Sequence, residues 1–396
     1  MTFDALDIAP ADTILGLMAA YQADPAHDKI DLTVGVYRND AGATPVPAAV
    51  HEAERRLLDT EGTKIYLPPA GSPGFRERIA DLVLGPRAGE VRERATVLQT
   101  PGGCGALRLG AELYARAGGG TVYLSTPTWG NHEALLTGAG LPITRYPYYR
   151  SAEHRLDAEG MLSALATAPA GSLVLLQASC HNPTGADLDA ADRRAVLDTI
   201  AERDLVPFFD MAYQGLGDDT EADAAFVREA AARLPEMLVA VSCSKNFGLY
   251  RERTGALIAV GAGAAAKAPL ESQANQIARA MYSMSPAHGA LLVETVLGDA
   301  ELERRWRDEL AGMAARVRHL RAGLARALAQ RRPDLDTTWL ARQKGMFSLL
   351  GLAPETVATL RDQAHLYMVG DSRINLAGLT ETNIPRVAEV LAPHLT

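Results

Sequence analysis

Residues 238–255, LVAVSCSKNFGLYRERTG, hold the most informative pattern in the chain. The apolar run 238–241 is typical of a short buried strand, and a polar loop that contains Lys245 follows it. In open α/β sheets, the carboxyl ends of the strands border the ligand-binding crevice. Serine hydroxyls and Arg253 could bind a phosphate there, and nearby cations lower the pKa of a lysine, as an amine nucleophile requires. A solvated surface loop with an ordinary lysine would show the same pattern, so this stretch alone does not decide between the two.

The composition indicates a globular protein with one large and one smaller domain. The 396 residues are 47% hydrophobic and 22% charged, which is ordinary for a folded protein of this length. The net charge of −9 disfavours a nucleic-acid partner, and the absence of a long apolar run disfavours a membrane span. The acidic N-terminal sequence is unlike a signal peptide, and three cysteines without metal-like spacing disfavour disulfides and zinc. We expect a cytoplasmic protein without a bound metal.

Apolar strands alternate with helices through the middle of the chain. Continuous apolar strands separated by helices predict a mainly parallel sheet that helices cover on both faces. The predicted strands span residues 96–100, 121–125, 172–177, 206–209, 238–241 and 256–260. Polar residues follow most of these strands directly, at the edge where such a sheet places its binding site. The predicted fold class is therefore α/β.

The two ends of the chain are predicted to form a smaller α+β domain. A first helix begins near Asp12 or Thr13, and residues 31–37 form a strand. A long helix over residues 300–331 has its apolar side chains at steps of three and four, which is the stripe of an amphipathic helix. We predict an N-terminal arm at 1–12, a small domain made of 13–40 and 300–396, and a large cofactor-binding domain at 41–299.

The polar residues at the predicted strand ends match the needs of pyridoxal 5′-phosphate (PLP). Its aldehyde needs an amine, which Lys245 provides, and its pyridine nitrogen needs a buried carboxylate such as Asp210 to stay protonated. Asn182 and Tyr213 could donate hydrogen bonds to the ring oxygen, and Trp129 could stack on the ring. Taken singly, Asp210 could equally be a helix N-cap and Trp129 a core residue.

Two further patterns are compatible with this cofactor and its substrate. The glycine-rich turn 101–105 precedes a helix predicted over 106–117, and free backbone N–H groups at a helix start form an anion site. Arg373 follows a turn and could hold a substrate carboxylate with two parallel hydrogen bonds. Many such turns bind nothing and many arginines lie on the surface, so both patterns are weak by themselves.

Segments along nearly the whole chain resemble one enzyme family. In order, they are VGVYRNDAG, TKIY, TPGGCGALR, PTWGNH, SCHNPTGADL, FDMAYQG, SCSKNFGLYRERTG, ARAMYSMSPAHG, KGMFS and GDSRINLAGL. The sequence is similar to the class I, fold type I PLP-dependent aminotransferases, and within them to the aspartate and aromatic-amino-acid aminotransferases. The resemblance implies a homodimeric enzyme that transfers amino groups between amino acids and 2-oxo acids by a ping-pong mechanism.

The resemblance also implies a role for each matching residue. Lys245 would bond covalently to PLP and carry the proton between the substrate Cα and the cofactor's C4′, while Asp210, supported by His132, would bind the pyridine nitrogen. Tyr66 and Arg279 would reach the neighbouring subunit's site, to meet the phosphate and a distal substrate carboxylate respectively. The other implied contacts are Asn182 and Tyr213 to the ring oxygen, Trp129 to the ring face, Gly103, Cys104, Ser242, Ser244 and Arg253 to the phosphate, and Gly35 and Arg373 to the α-carboxylate, with Trp129 and Asn182 also facing the substrate.

Six residues depart from the family pattern, and the three polar-to-apolar changes among them bear on the substrate. They are Cys104 for a hydroxyl residue, Gln177 for a common histidine, Thr254 for an apolar residue, and Ile65, Met281 and Met284 for polar residues. Each well-placed apolar contact favours an aromatic substrate by roughly 1–3 kcal/mol. Because Arg279 is retained, we predict dual specificity, with aromatic amino acids, aspartate or glutamate as donors and 2-oxoglutarate or oxaloacetate as acceptors. The alternatives are an aspartate aminotransferase proper, or a PLP lyase or decarboxylase on the same fold.

Overall fold

Thirteen strands and fifteen α-helices form within residues 2–8 and 13–395, the part of the chain that this computed structural model describes. The strands are β1 (Ile30–Asp31), β2 (Ala95–Pro101), β3 (Val122–Thr126), β4 (Ile143–Pro147), β5 (Tyr149–Arg150), β6 (Arg155–Leu156), β7 (Leu173–Gln177), β8 (Val206–Met211), β9 (Met237–Ser242), β10 (Thr254–Val260), β11 (Phe347–Leu349), β12 (Leu366–Tyr367) and β13 (Arg373–Asn375). The helices are α1 (Thr13–Ala23), α2 (Ala48–Thr60), α3 (Pro73–Leu84), α4 (Ala88–Arg92), α5 (Gly102–Arg116), α6 (His132–Gly138), α7 (Ala158–Ala166), α8 (Ala190–Glu202), α9 (Ala225–Arg233), α10 (Ala264–Tyr282), α11 (Ala287–Gly298), α12 (Ala300–Arg331), α13 (Thr338–Arg342), α14 (Pro354–Ala364) and α15 (Ile384–Leu391). Short 3₁₀ turns cover Thr2–Ala5, Gly85–Arg87, Ser151–Glu153, Leu376–Gly378 and Ala392–His394.

Seven of these strands form one sheet in the order β2-β10-β9-β8-β7-β3-β4. Neighbours pair in parallel from β9 through β4, whereas β10 is antiparallel to both β9 and β2. The carboxyl ends of β2, β3, β7, β8 and β9 therefore meet at one edge of the sheet, and the first residue of β10, Thr254, lies at the same edge. The predicted mainly parallel sheet is confirmed.

Successive side chains of a strand point to opposite faces of the sheet, so the apolar strands pack into one core on each face. In β8, Phe208 packs into one apolar core and Phe209 into another. In β9, Leu238 and Val239 divide between the same two cores. Each buried side chain of this size contributes roughly 1.5–3 kcal/mol to folding. The two cores hold the strands in place, and the strand ends therefore form a rigid edge of the sheet.

Segments from the two ends of the chain come together in two small sheets. β1 pairs with β12, and β11 pairs with β13. The predicted long helix is confirmed as α12, and the Asp299 side chain caps it by accepting from the backbone N–H groups of Glu301 and Leu302, both at 3.0 Å. The helix predicted to start near Asp12 or Thr13 is α1, and Asp12 itself lies outside the described residues. The division into an arm and two domains stays a prediction.

The predicted strand over residues 31–37 is wrong for most of its length, because β1 ends at Asp31. Leu32 still bonds to the main chain of Tyr367 and Asn375, but from Val34 onward a side chain takes the place of a neighbouring strand. Asn375 Nδ2 donates to the carbonyl oxygens of Val34 at 2.6 Å and Val36 at 2.8 Å. This irregular path brings Gly35 to the sheet edge. Among the residues described, no helix combines the length and apolarity needed to cross a membrane.

Candidate active site

A cavity of about 290 Å³ opens at the strand-end edge of the sheet. Most of the predicted site residues line it: Gly35, Gly103, Cys104, Trp129, Asn182, Asp210, Tyr213, Ser242, Ser244, Lys245, Arg253 and Arg373. They come from the ends of several strands and from both ends of the chain. Folding thus brings together side chains that are far apart in sequence, as expected for a site at the carboxyl ends of parallel strands.

Lys245 lies just after β9 and presents its amine to this cavity. Its Nζ is 5.1 Å from the ring centroid of Tyr213. Burial lowers the pKa of Lys245 from its ordinary value of 10.5, against the opposing effect of the negative charge on Asp210. Burial also raises the pKa of Tyr213, so its hydroxyl stays protonated and able to donate. A lysine with a lowered pKa more readily provides the neutral amine that attacks an aldehyde.

The rim formed by β2, β9 and β10 is suited to an anion. α5 begins at Gly102, directly after β2, so the glycine-rich segment forms the first turn of the helix instead of preceding it. Gly102 has a φ of +70°, and a Cβ there would lie 2.5 Å from Nη2 of Arg253, so glycine allows this guanidinium to lie against the helix start. Ser242 and Ser244 are buried in the same cavity wall, and Ser244 N donates to Ser242 Oγ at 3.3 Å. The positive helix end, the cation and the hydroxyls can together hold a phosphate.

Asp210 is the carboxylate of the cavity. It lies within β8, which excludes the alternative that it caps a helix. His132 Nε2 is 2.9 Å from Asp210 Oδ2, and His132 Nδ1 is 2.7 Å from Thr128 Oγ1, so the imidazole can donate to the carboxylate while it accepts from the hydroxyl. His132 is 1% exposed, and its ring meets that of Trp129 edge-on at 5.2 Å between centroids. This support leaves Asp210 Oδ1 available to a cationic ring nitrogen.

Arg373, the first residue of β13, brings a cation to the same cavity. Its Nη1 donates to Asn182 Oδ1 at 3.1 Å, and its Nη2 donates to the carbonyl oxygen of Thr33 at 3.0 Å. The guanidinium carbon lies 4.5 Å from the ring centroid of Phe347, and Nε has no hydrogen-bond partner among the described residues. Burial lowers the pKa of Arg373. Since the acceptors described for this buried cation are neutral oxygens, it is suited to bind a carboxylate.

Sequence reasoning did not assign several residues that line the cavity. They are Ile14, Leu107, Gln177, Ala212 and Phe347. Phe347 lies against Gly35, where a Cβ would be 2.9 Å from its Cζ, and its ring is edge-on to Tyr213 at 5.9 Å. The signal for Phe347 was the matching segment KGMFS, and Gln177 was recognised only as a departure from the family. Leu107 and Ala212 likewise lie in the matching segments TPGGCGALR and FDMAYQG, whereas Ile14 lies in none of the matching segments.

Tyr66 and Arg279, predicted to serve a neighbouring subunit, do not line the cavity of this chain. Tyr66 is 85% exposed and the adjacent Ile65 is 74% exposed. Arg279 is exposed near the end of α10. Met284, which follows α10, contacts the segment beside Tyr66, because the backbone N–H of Leu67 donates to its Sδ at 3.2 Å. The cavity of a single chain therefore forms without these two residues.

The groups present in the cavity fit PLP. An amine, a carboxylate supported by an imidazole, an anion-binding helix start and an aromatic ring are the partners that its aldehyde, ring nitrogen, phosphate and ring face require. The close approach of Arg253 to Gly102 places a positive charge at the anion rim. The unpartnered Nε of the buried Arg373 leaves a donor for a substrate carboxylate.

Comparisons with known proteins agree with this fit. The chain matches the family described as aminotransferase class I and II over residues 27–391. It is 48% identical over 385 residues to an aromatic-amino-acid aminotransferase of Pseudomonas aeruginosa, across 97% of this chain and 96% of that protein. It is 39% identical over 395 residues to an aspartate aminotransferase of Salmonella typhi, across 99% of this chain and 100% of that protein.

A solved structure gives the same result for the fold. The crystal structure of an aromatic-amino-acid aminotransferase from Burkholderia pseudomallei, covalently bound to pyridoxal phosphate, superposes with a TM-score of 0.97 and 38% identity over 100% of both chains. The predicted family and fold are confirmed. The chain belongs to the class I and II aminotransferases.

Proposed function

We propose that this aminotransferase transfers the amino group of tyrosine, phenylalanine or tryptophan, and also of aspartate or glutamate, to 2-oxoglutarate or oxaloacetate. The observation that carries the proposal is the meeting of Lys245, Asp210 and Arg373 in one cavity. They offer an amine for covalent attachment, a carboxylate for a cationic ring nitrogen and a guanidinium for a substrate carboxylate. Transamination through PLP needs these three groups. A cytoplasmic location, with amino acids and 2-oxo acids as partners, is part of the same proposal.

The cavity residues divide the binding of the cofactor between them. When bound, PLP supplies an aldehyde that bonds to amines and a ring that draws electrons from the bonds of the substrate Cα. Ser242, Ser244 and Arg253 hold the phosphate together with the first turn of α5. Asp210 keeps the ring nitrogen protonated, because a buried carboxylate stabilises a positive charge beside it. Trp129 covers the ring face.

Lys245 attaches the cofactor and moves the proton. With PLP bound, the neutral Lys245 Nζ would be the base that takes the proton from the substrate Cα and the acid that returns it at C4′. Arg373 binds the α-carboxylate, which fixes Cα beside this amine and lowers the entropic cost of the transfer. Asn182 and Tyr213 donate hydrogen bonds to the ring oxygen. The same residues act in the opposite direction on a 2-oxo acid, which gives a ping-pong mechanism.

The substrate side chain is recognised with the help of a second copy of the chain. Ile65 and Tyr66 are largely exposed on one chain, and Met281 near the end of α10 is 39% exposed. The bond from Leu67 N to Met284 Sδ brings these two segments together, so their apolar side chains can form an interaction surface. In a homodimer, Tyr66 reaches the neighbouring phosphate and Arg279 meets a distal substrate carboxylate. Apolar Ile65 and Met284 favour an aromatic ring instead. Both substrate classes are supported by the aromatic-amino-acid and aspartate relatives.

Steady-state kinetics with 2-oxoglutarate as the acceptor test the substrate class. We expect parallel double-reciprocal plots and a kcat/KM for phenylalanine at least equal to that for aspartate. The substitutions Ile65→Ser and Met284→Asn should each shift this ratio towards aspartate by roughly 10-fold. A strong preference of the unmodified enzyme for aspartate would indicate an aspartate aminotransferase proper. Failure of 2-oxoglutarate to restore the starting absorbance after one turnover with tyrosine would indicate a lyase or decarboxylase.

Hybrid dimers test the shared site separately. Lys245→Ala subunits lack the amine, and Arg279→Ala subunits lack the guanidinium that serves the neighbour. After the two variants are mixed and allowed to exchange subunits, one site in each hybrid combines an intact Lys245 with an intact Arg279 from the other subunit. We expect aspartate activity to rise above the sum of the two parents. Activity that stayed at this sum, despite proven exchange, would contradict the sharing of sites.

A further inference from the structure

Gln177, the last residue of β7, forms a closed pair of hydrogen bonds with the main chain of Asn182. Its Nε2 donates to the carbonyl oxygen of Asn182 at 2.9 Å, and its Oε1 accepts from the backbone N–H of Asn182 at 2.8 Å. Asn182 lies outside the strands, and the Gln177 amide bonds to its main chain as a neighbouring strand would. Gln177 also lines the cavity itself.

The loop between these two residues is held by side chains. Asp187 accepts from the backbone N–H groups of Cys180 at 2.8 Å and His181 at 2.9 Å. Cys180 has a φ of +54°, a conformation that L-residues with side chains adopt only where their surroundings hold them. Gln177 completes this arrangement at Asn182. The position of the Asn182 side chain therefore depends on the Gln177 amide.

Asn182 in turn helps to orient the guanidinium of Arg373. Its Oδ1 accepts from Arg373 Nη1 at 3.1 Å, and it is one of two acceptors that orient the guanidinium, the other being the carbonyl oxygen of Thr33. Because the acceptors described for Arg373 are neutral, their placement decides where its remaining donors point. A shift of Asn182 would turn the fork away from the substrate carboxylate, since two parallel hydrogen bonds require an aligned donor pair.

We propose that Gln177 is a positioning residue that holds Asn182 and thereby aims Arg373 at the substrate carboxylate. The inference rests on the proposed function, in which Arg373 binds that carboxylate. An amide donates and accepts at once without titrating, so both bonds persist across the working pH range.

Binding of 3-phenylpropionate, an unreactive carboxylic acid, to the PLP-loaded enzyme tests this role without turnover. Gln177→Met keeps the length of the side chain and loses both hydrogen bonds. We expect its Kd for 3-phenylpropionate to rise roughly 10-fold and its kcat/KM for phenylalanine to fall by a similar factor. An unchanged Kd and an unchanged kcat/KM would overturn the proposal.

Gln99 provides a control because its amide also accepts from one main-chain group and donates to another, here on two different residues. Its Oε1 accepts from Ser72 N at 3.2 Å and its Nε2 donates to the carbonyl oxygen of Pro286 at 2.7 Å, and it does not line the cavity. Gln99→Met should lower the melting temperature while leaving the Kd for 3-phenylpropionate unchanged. A Kd that rose equally in both variants would show that general loosening, not positioning, is responsible, and would overturn the proposal.

Gln177→Glu adds a readout that a purely structural role would not produce. As a carboxylate, Glu accepts from Asn182 N but repels the Asn182 carbonyl oxygen, whereas a protonated Glu donates and accepts as the amide does. The ratio of its Kd for 3-phenylpropionate to that of the unmodified enzyme should therefore decrease as the pH falls. The same ratio for Gln177→Met should not change with pH. A ratio independent of pH would count against the role of Gln177. An unmodified enzyme that bound no carboxylic acid would contradict the proposed function itself, which separates the two failures.

Discussion

The lining of the cavity and the surface around Tyr66 are built in opposite ways. Asp210 and His132 are 6% and 1% exposed and lie 2.9 Å apart, so their geometry is complete within one chain. Tyr66 is 85% exposed, and Arg279 is exposed as well. The buried set has the groups that PLP needs, while the exposed set has the groups proposed to reach another copy. The difference separates the groups that one chain brings together by itself from those proposed to act across a dimer, of which Arg279 is proposed to recognise the substrate side chain.

The largest expected effect comes from removing the amine of the buried set. Lys245→Ala should reduce transamination by roughly 10⁴-fold for every substrate, because it removes the amine proposed to carry the proton from Cα. PLP should remain bound without a covalent bond, since the phosphate and ring-nitrogen contacts are unchanged. Mass spectrometry after borohydride reduction and steady-state kinetics measure the two effects. A variant with normal turnover would refute the role of Lys245.

An intermediate effect is expected on the exposed side of the comparison. Arg279→Ala should lower kcat/KM for aspartate and 2-oxoglutarate by roughly 100-fold, because a distal carboxylate then lacks its cation. The rate with phenylalanine as the donor, measured in single-turnover experiments, should change little. Arg251, an exposed arginine of the 243–253 loop, is a suitable control, and Arg251→Ala should leave both substrates unaffected. An equal loss of activity with both substrate classes would contradict this role and show that Arg279 acts on all substrates alike.

The smallest effect concerns the pH dependence of covalent attachment. Burial lowers the pKa of Lys245 below 10.5, and the negative charge of Asp210 partly opposes this. For a base with a lowered pKa, the neutral and reactive fraction becomes dominant at a lower pH than in an unfolded chain. The rate of PLP attachment to the apoenzyme should therefore rise with pH and level off below 10.5. Asp210→Asn should lower the midpoint further, and a midpoint above 10.5 in the unmodified protein would contradict the assignment.

The cofactor side of the molecule could be predicted because its residues carry chemical signals. Lys245 and Asp210 stand at the ends of apolar runs, where a charged side chain is conspicuous. The antiparallel direction of β10 was not predicted, since an apolar run has no direction. The path of residues 31–37 was mispredicted because its partner, Asn375, lies 341 residues from Val34 and bonds through its side chain. Apolar lining residues such as Ile14 have no signal that distinguishes them from core.

The contact between Arg373 and Asn182 spans 191 residues, and that between Arg373 and Thr33 spans 340. By contrast, Lys245 and Arg253 lie in one short loop between β9 and β10, whose register pairs Ser242 with Gly255. A ribosome therefore finishes the amine, the carboxylate and the anion rim well before it adds the guanidinium of Arg373. Any chain that stops short of β13 lacks the clamp for the α-carboxylate while it still contains the elements that hold the cofactor. The α-carboxylate clamp is thus synthesised after the residues that hold the cofactor.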